Sequence, residues 1–340
     1  MDSAEQAFMP QAPPPPFGWS PSPAPLRYAV ADNMAALAPA PAAKLSPAVQ
    51  RIAGFMHNFS VEATRPSDAD IAALAVLPRG TRVYISAVPH RPAEESIDAA
   101  IRLRAAGLEP VPHVAVRNFG SVDALDDFLA RLNGEAEVRR VLVIAGDRGE
   151  HGPFRSAADA IDSGLFRRRS IRGLGIAGYP EGHPKIGNDA LFKALAEKIA
   201  AAEATGLAVE IVTQFCFDAR AILDYIARLR GFGFEQPLRI GLVGPTSFAA
   251  LMRYAARCGV RASAQALAHR SGLLRQMFAL TVPDDLVRAL AEAAPSRVSA
   301  HFFSFGGLPA TARWAQAVAD GHIALQGGGG FTVAPPPPEG

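Results

Sequence analysis

The sequence has little of what marks several large classes of proteins. Only two of its 340 residues are cysteines, Cys216 and Cys258, and their spacing fits neither a metal site nor a redox pair. Two unpaired cysteines indicate a reducing compartment and a fold without disulfides. The formal net charge is only +2, so the chain has no overall electrostatic attraction to nucleic acid or to an anionic membrane.

Long hydrophobic runs and short nucleotide or metal motifs are also missing. No apolar stretch approaches the roughly 20 residues that cross a bilayer. Residues 1–19 have neither the basic start nor the apolar centre of a signal peptide. We therefore expect a cytoplasmic protein without membrane contacts. GxGxxG after the first strand, a Walker loop, HExxH and paired CxxC motifs are absent, and no metal is expected.

Both ends of the chain are rich in proline. Residues 1–45 consist largely of proline and alanine, with four consecutive prolines at 13–16. Four glycines at 327–330 precede four prolines at 335–338. Such compositions favour extended, solvated backbone. We predict disordered tails at 1–45 and 326–340 around one folded domain at 46–325.

Between the tails, apolar strand-like runs alternate with helical patterns. Eight strands are predicted, at 58–64, 82–88, 110–116, 140–145, 173–178, 209–215, 239–243 and 298–304. Helices are predicted at 93–106, 122–132, 189–204, 219–229, 248–258 and 310–319, with an extra helical insertion at 261–296 before the last strand. Eight such repeats close most simply into a parallel (β/α)8 TIM barrel, with a doubly wound open sheet as the runner-up.

A stiff polar loop follows the fifth predicted strand. Residues 178–184 read GYPEGHP and present Tyr179 and His183 between two prolines. Prolines restrict the backbone and stop the strand from continuing. Since α/β proteins place their chemistry at the carboxyl ends of parallel strands, this loop is predicted to border a site.

Further polar residues follow other strands. Glu62 ends the first strand, His113 lies in the third and Asp147 follows the fourth. A glutamate in a semi-apolar barrel mouth should have its pKa raised by burial, so that it donates a proton near neutral pH. For Asp147, composition alone slightly favours a turn-forming pair with Gly146. Single residues of this kind are often caps, but their convergence on one mouth favours a site.

An amide and two aromatic residues complete the set. Gln214 ends the sixth strand, and an amide that both donates and accepts suits the edge of a heterocycle. Phe217 and Phe248 are candidates for stacking on an aromatic ring. Ordinary core or interface packing is the alternative, but it applies more to Phe215 than to Phe248, whose ring we expect to face the mouth.

Taken in order, these segments resemble the flavin-dependent methylenetetrahydrofolate reductases. The specific segments are YPEGHP at 179–184 and TQFCFD at 213–218. Weaker ones are the strand with Glu62, PHV at 112–114, GD at 146–147, GPTSF at 244–248 and HFF at 301–303. The resemblance covers about residues 55–305, and the family's fold is a (β/α)8 barrel that binds FAD in its mouth.

The resemblance implies an oxidoreductase of one-carbon metabolism and methionine biosynthesis. Its cofactor would be FAD, its substrate a folate, and its electron donor NADH, NADPH or another donor. It would interconvert 5,10-methylenetetrahydrofolate and 5-methyltetrahydrofolate by hydride transfer. Glu62 is implied as the general acid, with Asp147 as the second catalytic residue. The implied FAD contacts are His113, Gly146, Asp147, Tyr179, His183 and Lys198, and the implied folate contacts are Gln214, Phe217 and Phe248.

Alternatives remain open at this point. The sequence has Ala145 where the family often has an arginine, and residues 63–66, ATRP, replace an aromatic and proline-rich segment. A related barrel flavoenzyme, such as a proline dehydrogenase-like oxidase, and a non-catalytic folate-binding homologue without flavin are the other interpretations. The direction of the reaction is undetermined, and a homo-oligomer is compatible with the sequence.

Overall fold

The computed structural model describes residues 45–88, 91–147, 152–258, 260, 280–293 and 295–334. Three predictions lie wholly or largely outside these residues. They are the amino-terminal tail, the last six residues of the carboxyl-terminal tail, and the first part of the helical insertion at 261–296.

Eight parallel strands form a closed barrel, which confirms the predicted (β/α)8 TIM barrel over the open sheet. The strands are β1 Ser60–Ala63, β2 Arg82–Ile85, β3 Glu109–Ala115, β4 Arg140–Ile144, β5 Gly173–Gly178, β6 Ala208–Phe215, β7 Leu238–Val243 and β8 Val298–Phe303. They follow one another around the barrel, and β1 pairs with both β2 and β8. In this register Ser60 lies opposite Arg82 on one side and His301 on the other.

Helices surround the barrel. They are α1 Pro47–Met56, α2 Asp68–Ala73, α3 Glu94–Ala105, α4 Val122–Ala136, α5 Ala157–Asp162, α6 Leu165–Arg168, α7 Asn188–Ala204, α8 Ala219–Gly231, α9 Phe248–Cys258, α10 Asp284–Ala293 and α11 Leu308–Ala319. The six helices predicted individually are present, and α10 lies in the predicted insertion. Side-chain caps begin α4 at Ser121 and α8 at Asp218. Within the described residues, no helix is both long enough and apolar enough to cross a membrane.

The predicted start of the carboxyl-terminal tail at residue 326 is wrong. Phe331–Val333 forms an antiparallel pair with Ile323–Leu325, so the glycine run at 327–330 is the turn of a hairpin. Phe331 is buried and stacks on Trp314 with the ring centroids 6.0 Å apart. The glycine- and proline-rich composition predicted a loose segment. A single aromatic side chain, which hardly changes the composition, anchors the strand to α11.

The amino-terminal end of the barrel interior is closed by a layer of charged side chains. Its members are Arg82, Glu109, Arg140, Glu210 and Arg239. Glu210 lies at the centre, with its Oε2 2.7 Å from Arg82 and 3.0 Å from Nε of Arg239. Burial alone would raise the pKa of Glu210, but the three arginines and a hydrogen bond from Tyr84 hold it below its usual value.

Above the charged layer, the barrel is filled by Tyr84, Val111, Leu142 and Val212, which form one buried cluster. The same strand alternation turns Glu62, Ser86, His113 and Gln214 into the barrel. These residues lie at the carboxyl end of the barrel. The interior is therefore sealed at one end and polar at the other, where a ligand can enter.

Candidate functional site

A cavity of about 770 Å³ opens at the carboxyl ends of the barrel strands. Strands β1, β3, β4, β5, β6 and β8 and the segment that follows β2 contribute to its lining. The polar and aromatic members are Glu62, Thr64, Asp70, Ser86, His113, Tyr179, Thr213, Gln214, Tyr254, Phe303, Ser304 and Phe305. The structure thus brings together four of the predicted site residues, namely Glu62, His113, Tyr179 and Gln214.

Glu62 lies at the floor of this cavity among two histidines and a serine. The hydroxyl of Ser86 donates to Oε1 of Glu62 at 2.6 Å. Nε2 of His301 lies 3.3 Å from Oε2, and Nε2 of His113 lies 3.6 Å from the same oxygen. The side chain of Glu62 is 13% exposed, so a ligand in the cavity can reach it although most of it is buried.

The expectation that burial raises the pKa of Glu62 is wrong. Burial does act in that direction, but interactions with His113, His301 and Ser86 outweigh it and lower the pKa to about 2. Burial alone follows from the position of Glu62 in a strand, whereas the three polar partners come together only in the closed barrel. Glu62 is therefore a carboxylate near neutral pH in the ligand-free site.

His113 has one ring nitrogen without a hydrogen-bond partner. His113 lines the cavity, and its Nε2 is buried 3.6 Å from Oε2 of Glu62 and makes no hydrogen bond. Burial and the neighbouring His301 lower the pKa of His113, against the opposing effect of Glu62. A buried imidazole nitrogen without a partner, at the wall of a cavity, is available to a ligand.

The loop after β5 forms one wall of the mouth. Tyr179 lines the cavity, and its ring meets the ring of His183 edge to face with the centroids 5.3 Å apart. Gly182, at φ +80, turns the chain so that His183 can pack in this way. Burial, and then the charge of Asp147, raises the pKa of Tyr179. His183 and Asp147 thus flank Tyr179 but do not themselves line the cavity.

Gly146 and Asp147 follow β4 directly. Gly146 has φ +90, a conformation that favours glycine, and a Cβ there would lie 3.0 Å from Cβ of Ala115. Asp147 is exposed at the end of the strand. The turn explanation accounts for Gly146, and the charge of the exposed Asp147 acts on Tyr179.

Of the three predicted folate contacts, only Gln214 lines the cavity. Its Oε1 accepts a hydrogen bond from the backbone N–H of Phe215 at 3.1 Å. Phe217 packs against Phe215 with the ring centroids 5.6 Å apart, and Phe248 is 6% exposed at the start of α9. Neither phenylalanine reaches the cavity, so core packing describes both.

The aromatic wall of the cavity is formed by residues that the sequence analysis did not select. Tyr254 of α9 stacks on Phe305 with the ring centroids 3.9 Å apart and the planes 7° from parallel. Phe303 packs beside Phe305. Tyr254 lies more than one helical turn beyond Phe248 in α9. The sequence does not show which of the two rings faces the mouth, because this depends on the direction of α9.

His301 and Ser86 were also missed. Ser86 follows β2, and a polar residue at a strand end was the signal used for Glu62 and Gln214. His301 lies within the HFF segment on β8 and is fully buried. A polar residue within an apolar strand could have drawn attention to it, but its pairing with β1 is a property of the closed barrel.

Lys198 lies away from the cavity. It is ten residues beyond the first residue of α7, which is about 15 Å along the helix. It does not line the mouth, and burial lowers its pKa to about 8. The structure therefore does not bring Lys198 together with the other predicted cofactor contacts.

Comparison with known sequences identifies the family. The sequence profile described as methylenetetrahydrofolate reductase matches residues 82–273, which is more than half of the chain. The chain belongs to this family.

Two relatives named as methylenetetrahydrofolate reductases are similar to the chain at low identity. One is methylenetetrahydrofolate reductase 2 of Saccharomyces cerevisiae, 26% identical over 160 residues that cover 44% of this chain and 26% of the yeast protein. The other is 5,10-methylenetetrahydrofolate reductase of Pectobacterium carotovorum, 26% identical over 196 residues that cover 54% of this chain and 62% of the bacterial protein. The chain thus spans less than two thirds of either relative.

Two solved structures are similar at still lower identity. Oxaloacetate acetylhydrolase matches with a TM-score of 0.45 and 10% identity over 80% of this chain and 85% of its own. Dihydropteroate synthase from Thermus thermophilus matches with a TM-score of 0.41 and 15% identity over 77% of this chain and 92% of its own.

The mouth of this methylenetetrahydrofolate reductase family member fits a heterocyclic ring. Nε2 of His113, a residue of the lining, is a buried nitrogen without a hydrogen-bond partner, and the amide of Gln214 lies across the same cavity. Among the described lining residues there is neither lysine nor arginine. At the neighbouring loop, α7 begins after Gly187 without a side-chain cap, so its first backbone N–H groups are available to an anion.

Proposed function

We propose that this chain is a flavin-dependent oxidoreductase that interconverts 5,10-methylenetetrahydrofolate and 5-methyltetrahydrofolate. The observation that carries the proposal is the carboxylate of Glu62, which lies with His113 and His301 at the floor of a cavity in a chain of this family. The reaction needs a group that exchanges a proton with the folate beside the place where hydride moves. Glu62 is the carboxylate that meets this requirement.

FAD would be held chiefly through its ring. His113 offers its unpartnered Nε2, Tyr179 offers a ring and a hydroxyl, and the Gly146–Asp147 turn borders the same wall. The uncapped start of α7 offers partial positive charge to the pyrophosphate. When bound, FAD supplies hydride transfer between an electron donor and the one-carbon unit of the folate.

The folate would be oriented by Gln214 and by the aromatic wall. An amide can donate to and accept from the edge of a pterin, which suits Gln214 at the rim of β6. The stacked pair of Tyr254 and Phe305 offers an aromatic face near Gln214, since Phe305 also packs on Phe215 with the ring centroids 5.2 Å apart. Holding two reacting rings in contact contributes on the order of 7–11 kcal/mol to lowering a barrier.

Glu62, held by its neighbours, would exchange the proton with the folate. The carboxylate accepts hydrogen bonds from Ser86 and His301, and a substrate nitrogen can approach the exposed part of its side chain. A positioned acid or base of this kind contributes about 10²–10⁴ in rate. A ligand that fills the cavity also removes water, and this strengthens the electrostatic interaction between the carboxylate and the nitrogen.

An absorbance spectrum of the purified protein after incubation with FAD tests the proposal. We expect a bound flavin that is bleached in anaerobic titration with NADH, NADPH or another donor and is reoxidised by 5,10-methylenetetrahydrofolate. A colourless protein that resists FAD and still binds a folate analogue would favour a non-catalytic folate-binding homologue. A flavoprotein that ignores folate and oxidises a cyclic amino acid would favour a proline dehydrogenase-like enzyme.

A further inference from the structure

A column of hydrogen bonds joins the charged layer of the barrel to Glu62. Nη1 of Arg239 lies 3.2 Å from Oγ of Ser60, and Oγ of Ser60 lies 2.9 Å from Nδ1 of His301. Nε2 of His301 lies 3.3 Å from Oε2 of Glu62. Ser60 and His301 are fully buried, and Arg239 is 2% exposed.

We propose that Arg239, acting through Ser60 and His301, holds Glu62 as a carboxylate in the ligand-free site and so prepares the site to accept a proton from its substrate. Arg239, Ser60 and His301 are then positioning residues, and Glu62 is the group that touches the substrate. The identity of that substrate rests on the proposed function, whereas the protonation of Glu62 and the tautomer of His301 do not.

The direction of the hydrogen bonds follows from Arg239. A guanidinium in a protein stays charged and can only donate, so Oγ of Ser60 accepts from Arg239. Among the described residues, the other partner of this hydroxyl is Nδ1 of His301. Among these partners, the buried hydroxyl proton of Ser60 has an acceptor only when it points to Nδ1, so the arrangement that satisfies every group leaves Nδ1 unprotonated.

The proton of a neutral His301 then lies on Nε2, which faces Glu62. Nε2 donates to Oε2, and the hydroxyl of Ser86 donates to Oε1, so both carboxylate oxygens are acceptors. A carboxylate that accepts two hydrogen bonds is stabilised in its charged form. The hydrogen bonds from His301 and Ser86 each lower the pKa of Glu62. The opposite tautomer of His301 would instead accept a proton from a protonated Glu62.

This arrangement matches the direction in which a methylated folate is oxidised. In that direction, a C–H bond of the methyl group breaks and its electron pair goes with the hydrogen to an oxidised flavin. A bond forms between that carbon and the second folate nitrogen, N10, and the N10–H proton passes to Glu62. In the reductive direction, the same carboxylate must first take up a proton from solvent.

Measuring which tautomer His301 adopts tests the proposal directly. We would record two-bond ¹H–¹⁵N correlations of the ring in the ligand-free full chain and assign His301 by its absence in His301→Gln. The Nε2–H tautomer is expected near neutral pH. The Nδ1–H tautomer, or a doubly protonated ring, would overturn the proposal whether or not the protein turns over folate.

Ser60→Ala tests the column in the reaction. Removal of the hydroxyl leaves Nδ1 of His301 without its donor, and the two tautomers should then both be populated. In stopped-flow measurements, we expect oxidation of 5-methyltetrahydrofolate to slow by about tenfold. Flavin reduction by a nicotinamide donor should stay within about twofold of the parent rate.

Ser299→Ala is the matched control. Ser299 lies on β8 like His301, but its hydroxyl donates to the backbone oxygen of Leu238 at 3.4 Å and has no contact with Glu62. It should leave both half-reactions and the His301 tautomer unchanged. Equal slowing of both half-reactions by Ser60→Ala, or no slowing of either, would overturn the proposal. A chain that binds no flavin would refute the proposed function, while the tautomer measurement still decides the column.

Discussion

Nε of Arg239 lies 3.0 Å from Oε2 of Glu210 in the closed end of the barrel, and the two side chains are 2% and 6% exposed. Arg239 also donates to the backbone oxygen of Asn58 at 2.9 Å. One guanidinium thus joins β7 to β6 and to the segment that enters β1. The same side chain begins the hydrogen-bond column that ends at Glu62.

Arg239→Met should strongly destabilise the fold. It leaves Glu210 with a buried charge and one fewer partner, and the loss of one member of a buried ion pair costs about 3–5 kcal/mol. Urea unfolding of the purified variant measures the change in the free energy of unfolding. Arg220→Met is the control, because that side chain is 90% exposed and its ion pair with Asp224 spans 3.9 Å. Equal stability of the two variants would contradict the structural importance of the charged layer.

Glu62→Gln should separate the two half-reactions of the proposed enzyme. Flavin reduction by the electron donor needs no carboxylate at this position, so its rate should be largely unchanged. Reoxidation by 5,10-methylenetetrahydrofolate should fall by about 10²–10⁴, since the proton can no longer be exchanged. Anaerobic stopped-flow absorbance measures both rates. An equal loss in the two would show that Glu62 only shapes the cavity.

The free energy of unfolding should decrease as the pH falls, and part of this decrease should depend on Glu62. The pKa of Glu62 is lowered from 4.5 to about 2 on folding. Its charge therefore stabilises the fold fully above about pH 4.5, and this contribution is lost as the pH falls toward 2. In that window, the wild type should lose about 1.4 kcal/mol of unfolding free energy per pH unit more than Glu62→Gln.

Urea unfolding of both proteins at several pH values between 5 and the lowest at which they remain folded measures this difference. Glu210, whose pKa is also lowered, is present in both proteins, so its effect cancels. Parallel pH dependences would show that Glu62 is not held as a carboxylate by its neighbours.

Lys198→Ala should leave the affinity for FAD unchanged within about twofold. Lys198 lies about 15 Å along α7 from the start of the helix and does not line the cavity. Tyr179→Ala, at the wall of the cavity, should weaken FAD binding by about tenfold or more. Quenching of flavin fluorescence gives both dissociation constants. A loss of affinity in Lys198→Ala equal to that in Tyr179→Ala would show that the lysine contacts FAD.

The pattern of residues along the chain determined most of the architecture. Apolar runs of strand length, separated by helical periods, sufficed to predict eight parallel strands and the six helices that follow or separate them. The glycine run before Phe331 misled the prediction, because composition describes the turn and not the aromatic side chain that anchors the strand after it.

The sequence also determined which strand ends carry polar residues, and hence the mouth with Glu62, His113, Tyr179 and Gln214. Only the tertiary structure decided the protonation of Glu62 and the aromatic wall of Tyr254 and Phe305. A pKa depends on charges and hydrogen bonds from residues such as His301, which is 239 positions away along the chain and one strand away across the barrel. Closure of the barrel creates that proximity, and no local pattern in the sequence records it.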